Sequence, residues 1–223
     1  MPTAAGLRRG VDALRARLIW AVGGPRAVFA RIYRQNTWGS EESVSGTGST
    51  AGRSAAFRDE LIALLRRLDT RVLLDAPCGD CNWIGPVADV VPRYVGVEVV
   101  PELIERVRAR HAGERRTFAC ADVARDPLPR ADVILCRDCL VHFSFAESGR
   151  ALRNFSRSGA TFLLTTTFDD VAENEDIVTG GWRALNLRKP PFSFPPPLEA
   201  IDERCPGYPG KRLALWQMDV LPG

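Results

Sequence analysis

No run of about eighteen apolar residues occurs in this sequence, because LIWAVGG at 18–24 stops at a glycine pair. A membrane span is therefore not expected. The start lacks the positive end, apolar centre and small-residue cleavage order of a secretory leader. The expectation is a cytoplasmic protein, in which the six cysteines are free thiols or ligands rather than disulfides. Charge of one sign is also short, since 30 Lys+Arg against 27 Asp+Glu leave +3. That is too little to argue for nucleic acid, and none is expected as a partner. Histidine is scarce: His111 and His142 are the two present.

The charge is unevenly placed. Residues 1–34 hold seven Arg and one acid, Asp12, so the basic excess sits there and the rest of the chain is acidic. In that segment Leu7, Val11, Leu14 and Leu18 recur at helical spacing, and Gly23-Gly24-Pro25 predicts a break before a second short helix carrying Val28, Phe29 and Ile32. Such an amphipathic cap packs on the main domain or on a second subunit, as in a homodimer joined through these helices, or it meets an anionic surface. Residues 36–52, NTWGSEESVSGTGSTAG, read as a loop. Two units follow: residues 1–52 as helical cap and Gly/Ser-rich lid, and residues 53–223 as one globular domain.

From residue 53 the periodicity alternates. A helix with Phe57, Leu61, Leu64, Leu65 and Leu68 on one face leads into RVLLDA (71–76), an apolar run of strand length. RYVGVEVV (93–100), TFACAD (117–122), ADVILC (131–136) and ATFLLTTTF (160–168) are four further strands. Pro101 opens the helix after the second. Ser144 and Glu147 are placed for a capping box over the helix 145–157. LEAIDE (198–203) and RLALWQMDV (212–220) close the chain as an antiparallel hairpin at the sheet edge. The fold class is α/β: a Rossmann-like, seven-stranded, mostly parallel sheet with helices on both faces and an N-terminal helical extension.

In such sheets ligands bind beyond the carboxyl ends of the strands. Asp75, Ala76, Pro77, Cys78, Gly79 and Asp80 follow the first strand, Glu98 and Val99 end the second, Asp122 and Val123 the third, and Cys136, Arg137 and Asp138 the fourth. A dinucleotide needs glycines for its pyrophosphate to approach a helix N-terminus, but the first turn has one glycine, a proline and a second carboxylate. S-adenosylmethionine carries a sulfonium and an ammonium in place of phosphate, so acids in that turn favour it. Glu98 lies where an acid accepts the two ribose hydroxyls, and Asp122 with the Val123 amide is placed for the adenine.

The stretches LLDAPCGDCNW, YVGVEVVPELI, FACADV and DVILCRDCLVHFS together resemble, in order and spacing, the cofactor motifs of class I S-adenosylmethionine-dependent methyltransferases. The resemblance covers residues 53–220. Pro77 and Cys81 stand where that family often has the first and third glycines of its first motif. WGSEESVSGTGS resembles the segment that precedes the domain in a bacterial subgroup of these enzymes. The resemblance implies S-adenosylmethionine as cofactor, held also by Trp83, and Trp38 with Gly46 of the SGTGS turn closing over it. It implies methyl transfer to a nucleophilic oxygen or nitrogen of a small-molecule acceptor by in-line attack, for which the protein aligns the partners and excludes water.

His142, just beyond the fourth strand, is the candidate general base, against a reading in which it only packs or caps. Asp138 is a candidate to orient His142, hold substrate or face the methionine ammonium; Arg137 meets an anionic acceptor group or forms a structural ion pair. Phe168 and, in the long connection 169–197, Trp182, Phe192 and Phe194 either wall an acceptor or cover the sheet. Two other classes stay open: a cofactor-binding scaffold without turnover, and a zinc or redox module using Cys78, Cys81, Cys136 and Cys139. The expected site holds no metal, because a thiolate cage would compete with the cofactor for the same place.

Overall fold

The computed structural model describes residues 4–222, with side chains from Ile19 onward. Helix α1 (Ala4–Arg34) is broken at Gly24, whose φ of 59° suits a residue without Cβ, so it consists of two helices as Gly23-Gly24-Pro25 predicts. The stripe of Leu7, Val11, Leu14 and Leu18 lies outside the described side chains. Val28 and Ile32 of the second half are buried.

Helix α2 (Ala51–Arg67) buries Phe57, Leu61, Leu64 and Leu65. Each is worth roughly 1.5–3 kcal/mol of transfer free energy, which is what holds the helix against the sheet. Strands β1 (Val72–Asp75), β2 (Arg93–Glu98), β3 (Arg116–Cys120), β4 (Val133–Cys136) and β5 (Phe162–Phe168) pair in parallel. Strand β7 (Lys211–Gln217) runs antiparallel to β5 and to β6 (Glu199–Asp202), giving the order β3-β2-β1-β4-β5-β7-β6. The hairpin therefore inserts its second strand beside β5 and leaves β6 at the edge. Residues 218–220 form a short 3₁₀ turn rather than continuing the strand.

Alternation along the central strands divides the interior. Leu74, Ile134, Cys136 and Leu163 face one cluster, together with α5 (Phe145–Arg157). Leu73, Val133, Leu135 and Leu164 face the other, with α2 and α4 (Pro101–His111). A short helix, α3 (Gly85–Ala88), joins that second face. The connection 169–197 covers the first face with Leu185, Leu187, Phe192 and Phe194, all buried.

The capping box is half made. Ser144 Oγ accepts from the Glu147 amide at 3.3 Å, but the buried Glu147 carboxylate turns to Arg125 at 2.7 Å and to Arg150, and the Ser144 amide donates to Thr179 Oγ1. A full charge one-turn distant outcompetes a backbone amide for that carboxylate. Among the described residues no helix is long and apolar enough to cross a membrane.

Candidate active site

Strand order reverses between β1 and β4, and a cleft opens beyond the carboxyl ends there. Its floor comes from the strand ends: Asp75, Pro77 and Gly79 after β1, Glu98 and Val99 after β2, Asp122 and Val123 after β3. Arg137, Asp138 and His142 after β4 form the far side, Trp83 one flank and Trp38 the roof.

The first turn is shaped by its neighbours. Gly79 has φ of 54°, and a Cβ there would lie 2.2 Å from Ser45 Oγ, so glycine lets residues 44–49 pass directly over the turn. Cys81 adopts φ of 55°, the left-handed conformation that glycine usually takes, in the place where the resemblance expects one. The strap is pinned from below. Val44 N donates to Asp80 Oδ2 at 2.9 Å, Asp80 N donates to Ser45 Oγ at 3.0 Å, and Asn82 Nδ2 donates to Glu42 and to the Ser49 carbonyl.

Two carboxylates are buried in the floor. Burial pushes Asp75 up to about 7 against the Tyr94 hydroxyl, which donates to it at 2.6 Å, and against the charge of Arg137. Burial pushes Glu98 up to about 7 as well, although its Oε1 accepts the Val99 and Val100 amides at 2.8 and 3.0 Å. A nearby cation or hydroxyl donor would favour the ionised form of each. Asp122 is part of a turn: Oδ1 accepts the Ala124 amide and Oδ2 meets Arg125 at 3.0 Å.

The β4 end is a closed charge network. Arg137 lies over the rings of Phe57 and Trp83 at 4.8 and 5.1 Å. Its Nη2 reaches Glu203 at 2.6 Å, Asp138 at 3.4 Å and the Gly48 carbonyl of the strap at 3.0 Å. Lys211 pairs with Asp138 at 2.7 Å and with Glu203 at 3.2 Å. Burial raises Asp138, but Arg137 and Lys211 outweigh it and hold the carboxyl well below its usual range. Asp138 has φ of 51°, a strained conformation that clusters at functional sites.

His142 stacks under Trp38, ring centroids 4.7 Å apart. Its Nδ1 lies 2.7 Å from the Gly181 carbonyl. A carbonyl only accepts, so Nδ1 carries the proton and Nε2 keeps its lone pair. Burial pushes the imidazole below its usual range, so it is neutral near pH 7. The orienting group is thus Gly181, and the expectation that Asp138 orients this ring is corrected: Lys211 and Arg137 hold that carboxylate instead. Arg137 is likewise engaged in ion pairing, which removes it as a free cation for an anionic acceptor.

Several expected residues stand away from the cleft wall. Gly46 packs beneath Trp38, Asp80 anchors the strap, and Ala76, Cys78 and Cys136 are buried in the apolar clusters. Phe194 packs edge-on against Trp216 and Phe192 against Phe145, so both cover the sheet rather than wall an acceptor. Phe168 and Trp182 touch each other beyond the β5 end, outside the cleft itself. The residues not anticipated include Pro25, Phe29 and Tyr33 of α1, with Val44, Leu103 and Phe143. The i, i+4 spacing of Phe29 and Tyr33 was the available signal.

The two cysteine pairs lie in different apolar clusters, Cys78 and Cys81 on one face of the sheet and Cys136 and Cys139 on the other. Among the described residues no three His, Cys, Asp or Glu side chains gather as metal ligands, which argues against the four-thiolate module. The cysteines are free. Hydrogen bonding to Cys81 and burial push the Cys78 thiol up, and Cys136 and burial do the same to Cys139, so both are poor redox nucleophiles.

Residues 73–159 match the family model described as "Methyltransferase domain". No curated protein matches the sequence. Among solved structures, human N-acetylserotonin methyltransferase in complex with S-adenosylmethionine aligns at 13% identity over 85% of this chain and 58% of that one, with a TM-score of 0.59. N-methyltransferase NodS from Bradyrhizobium japonicum WM9 aligns at 18% identity over 75% of this chain and 97% of that one, TM-score 0.51. Magnesium protoporphyrin IX methyltransferase from Synechocystis PCC 6803 with bound S-adenosylmethionine aligns at 16% identity over 74% and 78%, TM-score 0.51. These are likenesses of fold. The chain spans 64% of the first matched structure and 58% of the human protein, so no acceptor is carried across.

Proposed function

We propose, on the premise that this chain is a class I S-adenosylmethionine-dependent methyltransferase, that it methylates a nucleophilic oxygen or nitrogen of a small-molecule acceptor with His142 as general base. One observation carries the reading: a neutral imidazole with its Nε2 lone pair free stands in the same cleft as two buried carboxylates at the ends of neighbouring strands.

The floor fits the cofactor chemically. Glu98 Oε1 accepts the Val99 and Val100 amides, and the Gly79 amide also bears on this carboxylate, which lies in the cleft wall where it can accept ribose hydroxyls. Asp75 and Glu98, when ionised, make the floor of the cleft suited to a cation or a hydroxyl donor, and Val99, Leu103 and Val123 suit an apolar ring. When bound, S-adenosylmethionine supplies a methyl group activated by its sulfonium. The chain's own part is to hold the two reactants, to exclude water beneath Trp38 and the strap, and to take the acceptor's proton at Nε2. We read residues 1–52 as the cap that closes the cleft, with Pro25, Phe29, Tyr33, Trp38 and Val44 facing into it.

The test is methyl-labelled S-adenosylmethionine with a panel of small hydroxyl and amine acceptors, read as label transferred and demethylated cofactor formed. With a hydroxyl acceptor, His142→Ala should lower kcat by about 10²–10⁴-fold while cofactor affinity stays within a few-fold. Unchanged kcat in that variant would remove His142 from the mechanism.

A further inference from the structure

Beside the cleft, beyond the end of β5, lies a surface with a composition of its own. Among the large hydrophobics exposed in the described chain, Trp182 (46% exposed) and Tyr208 (40%) are the aromatics, and they touch, with ring centroids 5.1 Å apart. Both pack edge-on against Phe168, at 6.2 and 5.8 Å, where β5 ends. The loop carrying Trp182 runs along the residues after β4: Gly180 N donates to the His142 carbonyl, Arg183 N to the Val141 carbonyl, and the carbonyl of Gly181, one residue before Trp182, receives His142 Nδ1. The loop that carries Trp182 is thereby tied to the backbone and ring of His142, which sets the aromatic pair next to the cleft.

The charges beside it cancel. Arg137 and Lys211 face Asp138 and Glu203, two cations against two anions within 3.4 Å of one another. Arg212 on β7 is taken by Asp202 and Asp169. Asp170, beside Gly210, is exposed to water, which screens it. Arg183, next to Trp182, has Nε and Nη2 without hydrogen-bond partners, but it is 7% exposed and both atoms are closed off from water. A carboxylate or phosphate on the acceptor would therefore find no accessible free cation among these groups, and an ammonium no free buried acid. Exposed aromatic faces over a neutral floor suit a flat, uncharged ring.

Resting on the methyltransferase reading above, we propose that the acceptor is an uncharged aromatic hydroxyl compound, a phenol, whose ring lies against Trp182 and Tyr208 while its hydroxyl reaches Nε2 of His142. A phenol loses its proton near pH 10, so at neutral pH it arrives protonated and gains from a base. The phenol oxygen forms its bond to the methyl carbon as the carbon–sulfur bond breaks, the bonding pair stays on sulfur, and the phenolic proton passes to Nε2. One positive charge moves from sulfonium to imidazolium, so charge balances.

The experiment uses one ring in three charge states: 4-methylcatechol, 3,4-dihydroxybenzoate and 2-(3,4-dihydroxyphenyl)ethylamine. Each is titrated calorimetrically into the full chain saturated with S-adenosylhomocysteine, and then assayed as acceptor. The neutral catechol should bind about tenfold tighter than either ionised one. Trp182→Ala should weaken its binding and raise its KM about 5–10-fold with little change in kcat, and Trp182→Phe should restore most of it. His142→Ala should leave its binding in place. Preference for an ionised probe, or unchanged binding in Trp182→Ala, would overturn the proposal. Binding of the demethylated cofactor with no binding of any catechol defeats this proposal alone, whereas failure to bind the cofactor defeats the reading beneath it.

Discussion

Replacing Glu98 with Gln should make the protein more stable and worse at binding its cofactor. In the unfolded chain this carboxyl ionises near 4.5; in the fold burial holds it protonated up to about 7. Between those values the folded state keeps a proton that the unfolded state has lost, so stability falls as pH rises through the window. At 1.36 kcal/mol per tenfold, the loss above pH 7 is at most about 3 kcal/mol for this 7%-exposed group. Glutamine has the same shape, can still accept the Val99 and Val100 amides, and carries no charge to desolvate. Urea unfolding should therefore show the two proteins equal near pH 4.5 and the variant ahead by up to about 3 kcal/mol at pH 8. Asp75, also raised to about 7, contributes a similar loss to both and largely cancels. Calorimetry should show S-adenosylhomocysteine binding weakened by about 10–100-fold, because a hydroxyl now meets a neutral acceptor. A variant no more stable than wild type at pH 8, or one that binds the cofactor equally well, would refute the role given to this carboxylate.

Arg137→Ala should cost about 3–5 kcal/mol in urea unfolding, since it leaves Lys211 alone against Asp138 and the buried Glu203 and empties the space beside Phe57 and Trp83. The same change frees the Gly48 carbonyl, so limited proteolysis within residues 42–49 should quicken. Purified protein should carry no stoichiometric zinc, and alkylation of Cys78 and Cys139 should be slow at pH 7.5 unless the chain is unfolded, because both thiols are buried with raised pKa values. Stoichiometric zinc with fast loss on chelation would return the four-thiolate reading.

The elements that could be read from residue order are those set by local periodicity. The α2 face of Phe57, Leu61, Leu64 and Leu65 repeats at helical spacing, and the apolar runs of β1 and β4 are buried on both sides as parallel strands require. The acids at the strand ends follow from the same reading, because a parallel sheet presents all those ends on one side. What was hidden depends on partners far along the chain. Asp80 is directed to a strap 36 residues earlier, and Arg137 to Glu203, 66 residues later. The contact of Trp182 with Tyr208 joins two loops that no periodicity relates. The cleft wall formed by Pro25, Phe29 and Tyr33 depends on how α1 turns at Gly24 and on its tie from Arg34 to Glu102 of α4, neither of which a helical stripe specifies. Phe192 and Phe194 were equally suited to a pocket or a sheet cover, and the lack of a helix in 169–197 decided it: the open face of the sheet needed apolar cover there.

If this chain transfers methyl groups, the cleft must take up S-adenosylmethionine. Isothermal titration of the folded chain with S-adenosylhomocysteine at pH 8, where Glu98 and Asp75 are ionised, tests it most directly. One site per chain, weakened in Glu98→Gln, is expected; a folded protein that takes up neither S-adenosylhomocysteine nor S-adenosylmethionine would rule out methyl transfer here.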